Sequence, residues 1–141
     1  VRIKLNVLAE TVRGKRVVLV DDSIVRGTTS ARIVKLLREA EATEVHMRSS
    51  APPFLNPCYY GTDIDSKENL IACKHTIEEI GKIIGADSLG YLDINHLNML
   101  IGNPPGEGYC HACFSGEYPT DVPNTAAKNR FEKKISEKEE K

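Results

Sequence analysis

Two adjacent acids followed by a loop rich in hydroxyls are the residues in this chain best suited to chemistry. Asp21 and Asp22 end an apolar run, and the loop after them offers Ser23, Gly27 and Thr28. Paired carboxylates accept hydrogen bonds from neighbouring sugar hydroxyls and attract Mg²⁺. Hydroxyls, a closely approaching glycine backbone and the amides that open the next helix favour a phosphate. The segment therefore predicts a site for a sugar phosphate.

The order of these two parts separates the loop from the common nucleotide motifs. A dinucleotide fingerprint places its glycines first and its acid about twenty residues later, and a Walker loop needs Gly-Lys-Ser/Thr. Neither pattern occurs in this sequence. In a purely structural alternative, the acids only end a strand and Ser23 to Thr29 caps a helix. The number of hydroxyls argues against this structural alternative, because a helix cap needs only one residue with a hydroxyl.

Four cysteines form the second chemical pattern: Cys58, Cys73, and Cys110 with Cys113 as a Cys-x-x-Cys pair. A pair with distant partners has the spacing of metal ligands, and disulfides are the less common use in a cytosolic chain. A c-type haem would need His directly after the pair, where Phe114 stands. The spacing leaves an iron-sulfur cluster, zinc or bare thiols open.

Alternating strand and helix patterns must position these residues. The predicted elements are a strand Arg16–Val20, a helix Ser30–Ala40, a strand Glu44–Ser49, a short helix Asp65–Ile71, a helix Ile77–Ile84, a strand Ser88–Leu92 and a helix Asn95–Ile101. Thr76 with Glu79 predicts a capping box, and Gly85 ends the helix that follows. We therefore expect an α/β fold with a parallel sheet covered by helices, which binds ligands at its carboxyl edge.

Composition narrows the class of protein. The chain has 141 residues, of which 40% are hydrophobic and 28% charged, and its net charge is −1. These values indicate one globular unit, without the basic excess of nucleic-acid binders or an apolar run that could cross a membrane. We expect a cytoplasmic protein with neither nucleic acid nor membrane as a partner. The histidines, His46, His75, His96 and His111, are expected to be structural or solvated.

The segment Val20–Ser30 resembles the phosphoribosyl pyrophosphate (PRPP) motif of type I phosphoribosyltransferases, and more narrowly that of the glutamine PRPP amidotransferases. Other stretches that resemble this family are Val1–Asn6, Leu36–Ala40, Glu44–His46, Pro52–Pro53, Pro57–Gly61, Ile84–Leu89 and Cys110–Phe114. The resemblance runs from Val1 to about Pro119. It implies the type I phosphoribosyltransferase fold, with residues 1–101 in that domain, 102–120 as a cysteine segment, and 121–141 as a charged, disordered or solvated tail.

The resemblance also implies the site residues. Binding of PRPP or a purine nucleotide is expected at Asp21, Asp22, Ser23, Ile24, Val25, Arg26, Gly27 and Thr28. The acids of that set would hold Mg²⁺, and Cys58, Cys110 and Cys113 match three ligands of a 4Fe-4S cluster. The fourth ligand of the family lies upstream of this chain, and Cys73 is expected to be a small packing residue.

The family makes 5-phosphoribosylamine from PRPP and glutamine-derived ammonia, the first committed step of purine nucleotide synthesis. By resemblance, the glutaminase domain, the pyrophosphate loop and the mobile lid lie upstream, so we expect no catalytic residue in this chain and no turnover by it alone. Val1 is not an initiator methionine, which suggests a fragment. A homo-oligomer is expected. A non-catalytic PRPP or nucleotide sensor and a salvage-type phosphoribosyltransferase are the alternatives.

One departure from the family pattern concerns the end of the helix after the motif. Glu41 stands where a glycine normally ends that helix. Glycine adopts the left-handed conformation at little cost. Glu41 therefore predicts either a different cap or about 1 kcal/mol of strain.

Overall fold

Short helices and parallel strands alternate along the chain. The computed structural model describes residues 6–64, 66–101 and 108–122. The helices are α1 (Ala9–Val12), α2 (Thr28–Glu39), α3 (Ile77–Ile84), α4 (Ile94–Ile101) and α5 (Ala112–Ser115). None of the helices in this part of the chain is long and apolar enough to cross a bilayer. The predicted tail lies outside the described residues from position 123 onward.

Three parallel strands form one sheet in the order β1-β2-β3. The strands are β1 (Arg16–Asp21), β2 (Glu44–Ser49) and β3 (Ser88–Tyr91). Val18 pairs with His46, which in turn pairs with Ser88. All three carboxyl ends therefore lie at one edge of the sheet, and the predicted α/β fold is confirmed.

The helices α2 and α3 pack against one face of this sheet. Val17 and Leu19 of β1 contact a cluster that includes the buried residues Val34 of α2 and Val45 of β2. The alternate residues of β1 face the other way, where Val18 and Val20 are 63% and 67% exposed within the described part of the chain. Burial of one apolar face thus fixes which side of β1 faces the helices.

The capping signals predicted for α3 are present in the structure. The Thr76 hydroxyl oxygen accepts from the Glu79 N–H at 3.3 Å, and the Thr76 N–H donates to the Glu79 carboxylate at 2.8 Å. That N–H holds the pKa of the Glu79 carboxyl below its usual range. Gly85 ends the helix with a φ of 77°. The predicted bounds, Ile77–Ile84, are confirmed because both signals are local.

The predicted short helix Asp65–Ile71 is wrong. The chain forms two 3-10 turns, Lys67–Asn69 and Ile71–Cys73, while Asp65 lies outside the described residues. Between the turns Leu70 is extended, with φ −87° and ψ 118°. Leu70 is buried with Phe54 and Ile64, whereas Ile71 is buried with Ile24 and Met47. Consecutive residues therefore enter different hydrophobic clusters, which a continuous helix would not allow.

Glu41 has a φ of 67°, so it adopts the left-handed conformation for which glycine is favoured at the end of a helix. Its carbonyl accepts from the Gly14 N–H at 2.8 Å, and its carboxylate pairs with Arg13 at 2.6 Å. Both side chains of that pair are about two-thirds exposed, at 63% and 65%. An exposed ion pair contributes little, so it offsets only part of the backbone strain.

We predict that Glu41→Gly raises the free energy of unfolding by about 1 kcal/mol, because glycine relieves the left-handed strain at this position. Urea denaturation measures the difference. Glu41→Gln is the control, since it removes the charge and keeps the strain, and we expect a change below about 0.5 kcal/mol. A less stable glycine variant would show that the Arg13 pair outweighs the strain.

Candidate functional site

A cavity of about 470 Å³ lies at the carboxyl edge of β1. Its lining consists mainly of acids, hydroxyls and loop backbone, contributed by Asp21, Asp22, Ser23, Val25, Arg26, Gly27, Thr28, Thr29, Ser30, Ile33 and Asp63. Seven of the eight residues predicted to bind a sugar phosphate thus lie together. The eighth, Ile24, is 2% exposed and packs in the core, so only its backbone faces the loop region.

The two acids are held by the neighbouring strand. The Ser50 N–H, directly after β2, donates to the Asp21 carbonyl at 2.9 Å, and the Ser50 hydroxyl donates to the same oxygen at 3.1 Å. The Asp22 N–H donates to the Asp21 carboxylate at 3.0 Å, and the Ser23 hydroxyl donates to the Asp22 carboxylate at 3.3 Å. Sequence reasoning missed Ser50, whose role depends on strand pairing.

A backbone hydrogen bond joins the loop after the acids to the first residue of the second 3-10 turn. The Ile71 N–H donates to the Val25 carbonyl at 3.0 Å. Gly27 has a φ of 78°, and a Cβ there would lie 2.8 Å from Ile71 Cδ1. The helix α2 begins at Thr28, two residues before its predicted start, and its first turn holds no acid. The backbone N–H groups of the first turn of α2 can therefore donate to a bound anion.

Asp63 is a cavity residue that sequence reasoning did not identify. It belongs to the loop between β2 and the 3-10 turns, and its neighbours carry no motif that marks it. A carboxylate accepts hydrogen bonds and attracts cations. At this position it favours a sugar hydroxyl or a bound cation over the phosphate itself.

Three of the four cysteines line a second cavity of about 220 Å³. Its lining is Cys58, Tyr60, Thr62, Cys110, Ala112, Cys113 and Tyr118, whereas Cys73 is absent from it. The expectation that Cys73 is a small packing residue is wrong, because Cys73 lies exposed in a 3-10 turn. Its thiol donates to the Leu55 carbonyl at 3.3 Å. Burial raises the pKa of the Cys113 thiol, and the nearby Cys58 raises it further.

Backbone hydrogen bonds join the segment that carries Cys58 to the segment that carries Cys110 and Cys113. The Cys113 carbonyl accepts from the Leu55 N–H at 2.9 Å and from the Asn56 N–H at 3.0 Å. Phe54 packs on Phe114 with ring centroids 4.8 Å apart. Among the described residues, no three His, Cys, Asp or Glu side chains converge closely enough to hold a single metal ion. The three thiols therefore share a cavity without forming a mononuclear site.

Two of the histidines, His46 and His111, make side-chain contacts with other residues of the fold. His46 contacts the Ser88 hydroxyl at 2.9 Å and the Glu44 carboxylate at 2.8 Å, which links β2 to β3. Arg16 also donates to Glu44 at 2.6 Å, and this bond is the main cause of the lowered pKa of the Glu44 carboxyl. His111 contacts the Ser115 hydroxyl at 3.0 Å within its own turn.

Comparison with known proteins shows what the chain is similar to. No family model matches the chain. It is 56% identical over 124 residues to the amidophosphoribosyltransferase of Archaeoglobus fulgidus, covering 87% of this chain and 27% of the relative. It is 54% identical over 125 residues to the Bacillus subtilis enzyme of the same name, covering 86% of this chain and 26% of the relative. The chain is therefore similar to one segment of these amidophosphoribosyltransferases.

Solved structures agree with this assignment. The glutamine PRPP amidotransferase of B. subtilis, complexed with ADP and GMP, superimposes with a TM-score of 0.77 at 51% identity, covering 84% of this chain and 27% of that one. A second structure, an allosteric regulatory enzyme of purine biosynthesis, gives a TM-score of 0.78 at 49% identity, covering 86% of this chain and 27% of its own. The chain spans about a quarter of the length of its amidophosphoribosyltransferase relatives.

We predict that Gly27→Ala destabilises the protein more than Gly14→Ala does. Both glycines have a positive φ, but a Cβ at Gly14 has nothing within 4 Å, whereas one at Gly27 meets Ile71. The left-handed strain costs each variant about 1 kcal/mol or more, and overpacking adds about 1 to 3 kcal/mol at Gly27 alone. Urea denaturation of both variants gives the difference. Equal losses would mean that Ile71 yields to the added methyl group.

Proposed function

We propose that the cavity at the end of β1 binds the ribose 5-phosphate part of PRPP in a protein that makes 5-phosphoribosylamine. The observation that carries this proposal is the clustering of seven motif residues around one cavity at the carboxyl edge of a parallel sheet. The names of the relatives, at 54% and 56% identity, support the same activity. The glutaminase domain that supplies ammonia would belong to the remaining part of such a protein.

The proposed roles follow from the chemistry of each side chain. Asp21 and Asp22 accept hydrogen bonds from the two vicinal ribose hydroxyls. Ser23, Thr28 and the N–H groups that open α2 donate to the 5-phosphate. Mg²⁺ would be held near the two acids, where it supplies positive charge that neutralises the polyanionic substrate. The Ile24–Gly27 backbone completes the loop around the phosphate, and the positively charged Arg26 lines the same cavity.

In the proposed reaction, ammonia attacks C1 of PRPP while the bond from C1 to the pyrophosphate oxygen breaks. Pyrophosphate leaves with that electron pair, and the nitrogen loses its extra proton to solvent. Positioning and charge stabilisation suffice for such a displacement. This chain therefore contributes binding and orientation, and no residue in it is assigned a catalytic role. Because purine nucleoside monophosphates share the ribose 5-phosphate group, we propose that they occupy the same cavity.

We predict that Asp21→Asn/Asp22→Asn weakens PRPP binding about a hundredfold, because two charge-assisted hydrogen bonds become neutral ones. Isothermal calorimetry with and without Mg²⁺ measures the change, and the dependence on Mg²⁺ should disappear in the variant. Purine nucleoside 5-monophosphates provide a second ligand series.

The matched control for that experiment is Glu10→Gln/Glu39→Gln. It removes the same two negative charges from exposed positions outside the cavity. PRPP binding should stay within about twofold of the unmodified protein, since distant exposed charges are screened by salt. Binding that is indifferent to the two aspartates but real in the unmodified protein would place the sugar phosphate elsewhere.

We propose further that Cys58, Cys110 and Cys113 hold a 4Fe-4S cluster, with a fourth ligand from outside this chain. Three thiols line one cavity, and Cys thiolates are the ligands that hold iron–sulfur clusters in proteins. When bound, the cluster would join the two cysteine-bearing segments through iron–sulfur bonds. Cys73 lies outside the cavity and is assigned no bond to it.

We predict that Cys58→Ser, Cys110→Ser and Cys113→Ser each abolish the iron–sulfide absorbance of the anaerobically reconstituted intact protein, because each removes one thiolate ligand. Cys73→Ser is the matched control and should retain the full iron and sulfide content. Stoichiometric zinc without sulfide in the protein as purified would contradict the cluster proposal. Equal loss in all four variants would contradict the choice of ligands.

A further inference from the structure

Three tyrosine rings contact one another beside the cysteine cavity, and two of them, Tyr60 and Tyr118, line it. Tyr59 and Tyr118 meet edge to face with centroids 5.3 Å apart, and Tyr60 and Tyr118 lie 6.4 Å apart. We call these three rings the aromatic collar. Tyr118 belongs to both pairs and also lines the cavity. It is therefore the central member of the collar.

The Tyr118 hydroxyl makes a bond that links the collar to the segment that carries Cys58. It donates to the Pro57 carbonyl at 2.7 Å, across 61 positions of sequence. Pro57 directly precedes Cys58, whose own N–H donates to the Ile64 carbonyl at 3.0 Å. The backbone on the amino side of Cys58 is thus fixed by Tyr118, and Cys58 itself by Ile64.

Further contacts orient the sulfur of Cys58. The Tyr60 N–H donates to Cys58 Sγ at 3.4 Å. The Tyr60 hydroxyl lies 2.8 Å from the Thr120 hydroxyl, which closes the same loop from the other side. Cys58 lines the same cavity as Cys110 and Cys113.

We propose that Tyr118 is a positioning residue for the Cys58 thiol, fixing it toward the cysteine cavity through the Pro57 carbonyl and covering the mouth of that cavity with its ring. This inference rests on the proposed cluster for its purpose. The positioning itself can be tested without any metal. Hydrogen bonds and packing around metal ligands set their orientation and the access of solvent to the metal.

The test uses Tyr118→Phe, which keeps the ring and removes only the hydroxyl that reaches Pro57. In the metal-free intact protein, alkylation of each cysteine by iodoacetamide is followed by mass spectrometry. The expected result is an increase of about fivefold in the rate at Cys58 relative to Cys73, the factor that corresponds to one net hydrogen bond. Cys73 serves as the internal reference because it lies outside the cavity.

Tyr59→Phe is the matched control, because it removes a hydroxyl from the same collar. That hydroxyl has no hydrogen-bond partner among the described residues. The ratio of the Cys58 rate to the Cys73 rate should then equal that of the unmodified protein. General unfolding of either variant would also raise the rate at the half-buried Cys113, whereas loss of the bond from Tyr118 to Pro57 raises the rate at Cys58 alone.

The second measurement uses the intact protein reconstituted anaerobically with iron(II) and sulfide. Loss of the cluster's absorbance in air should be about fivefold faster in Tyr118→Phe and unchanged in Tyr59→Phe. An unchanged Cys58 ratio in Tyr118→Phe would overturn the positioning role. A raised ratio in a protein that takes up no iron and sulfide would support the positioning role and refute the cluster, so the two failures are distinguishable.

Discussion

The close approach of Gly27 to Ile71 is the constraint on which the arrangement of the described residues depends. A side chain at Gly27 would force Ile71 to shift, because its Cβ would lie 2.8 Å from Ile71 Cδ1. The Ile71 N–H also fixes the Val25 carbonyl, and the Ile71 side chain packs with Ile24 and Met47. One residue therefore holds the backbone of the phosphate loop and joins it to the core of the sheet. The loop keeps its open side toward the cavity because its other side is closed by packing.

Elements encoded by local signals could be predicted from the sequence. The bounds of β2 and α3 match their predictions, because alternation of apolar residues and a capping box both act within a few positions. The predicted start of α2 was two residues late. Gly27 is left-handed where it meets Ile71, which lets the helix begin directly after it. The residue before the helix also approaches Ile71, more than forty positions away, and such a contact leaves no mark in the local pattern.

The cavity is less predictable than the motif, because its other members come from distant parts of the chain. Asp63 reaches the cavity from the loop after β2, and Ser50 reaches the acids through strand pairing. Leu70 interrupts the predicted helix because it must be buried beside Phe54. Each of these outcomes depends on which surfaces meet in the folded state. The motif indicated where a sugar phosphate could bind, and only the fold supplied the rest of the cavity wall.

The two cavities share a wall although their chemistry differs. The cluster of Phe54, Ile64 and Leu70 packs against Val25 on one side and against Cys58 and Cys113 on the other. Val25 in turn lines the proposed sugar phosphate cavity. Val25 belongs to the loop after the two acids, so the cluster connects that loop with the segments that carry Cys58 and Cys113. This shared packing gives a physical reason for both motifs to occur in one chain.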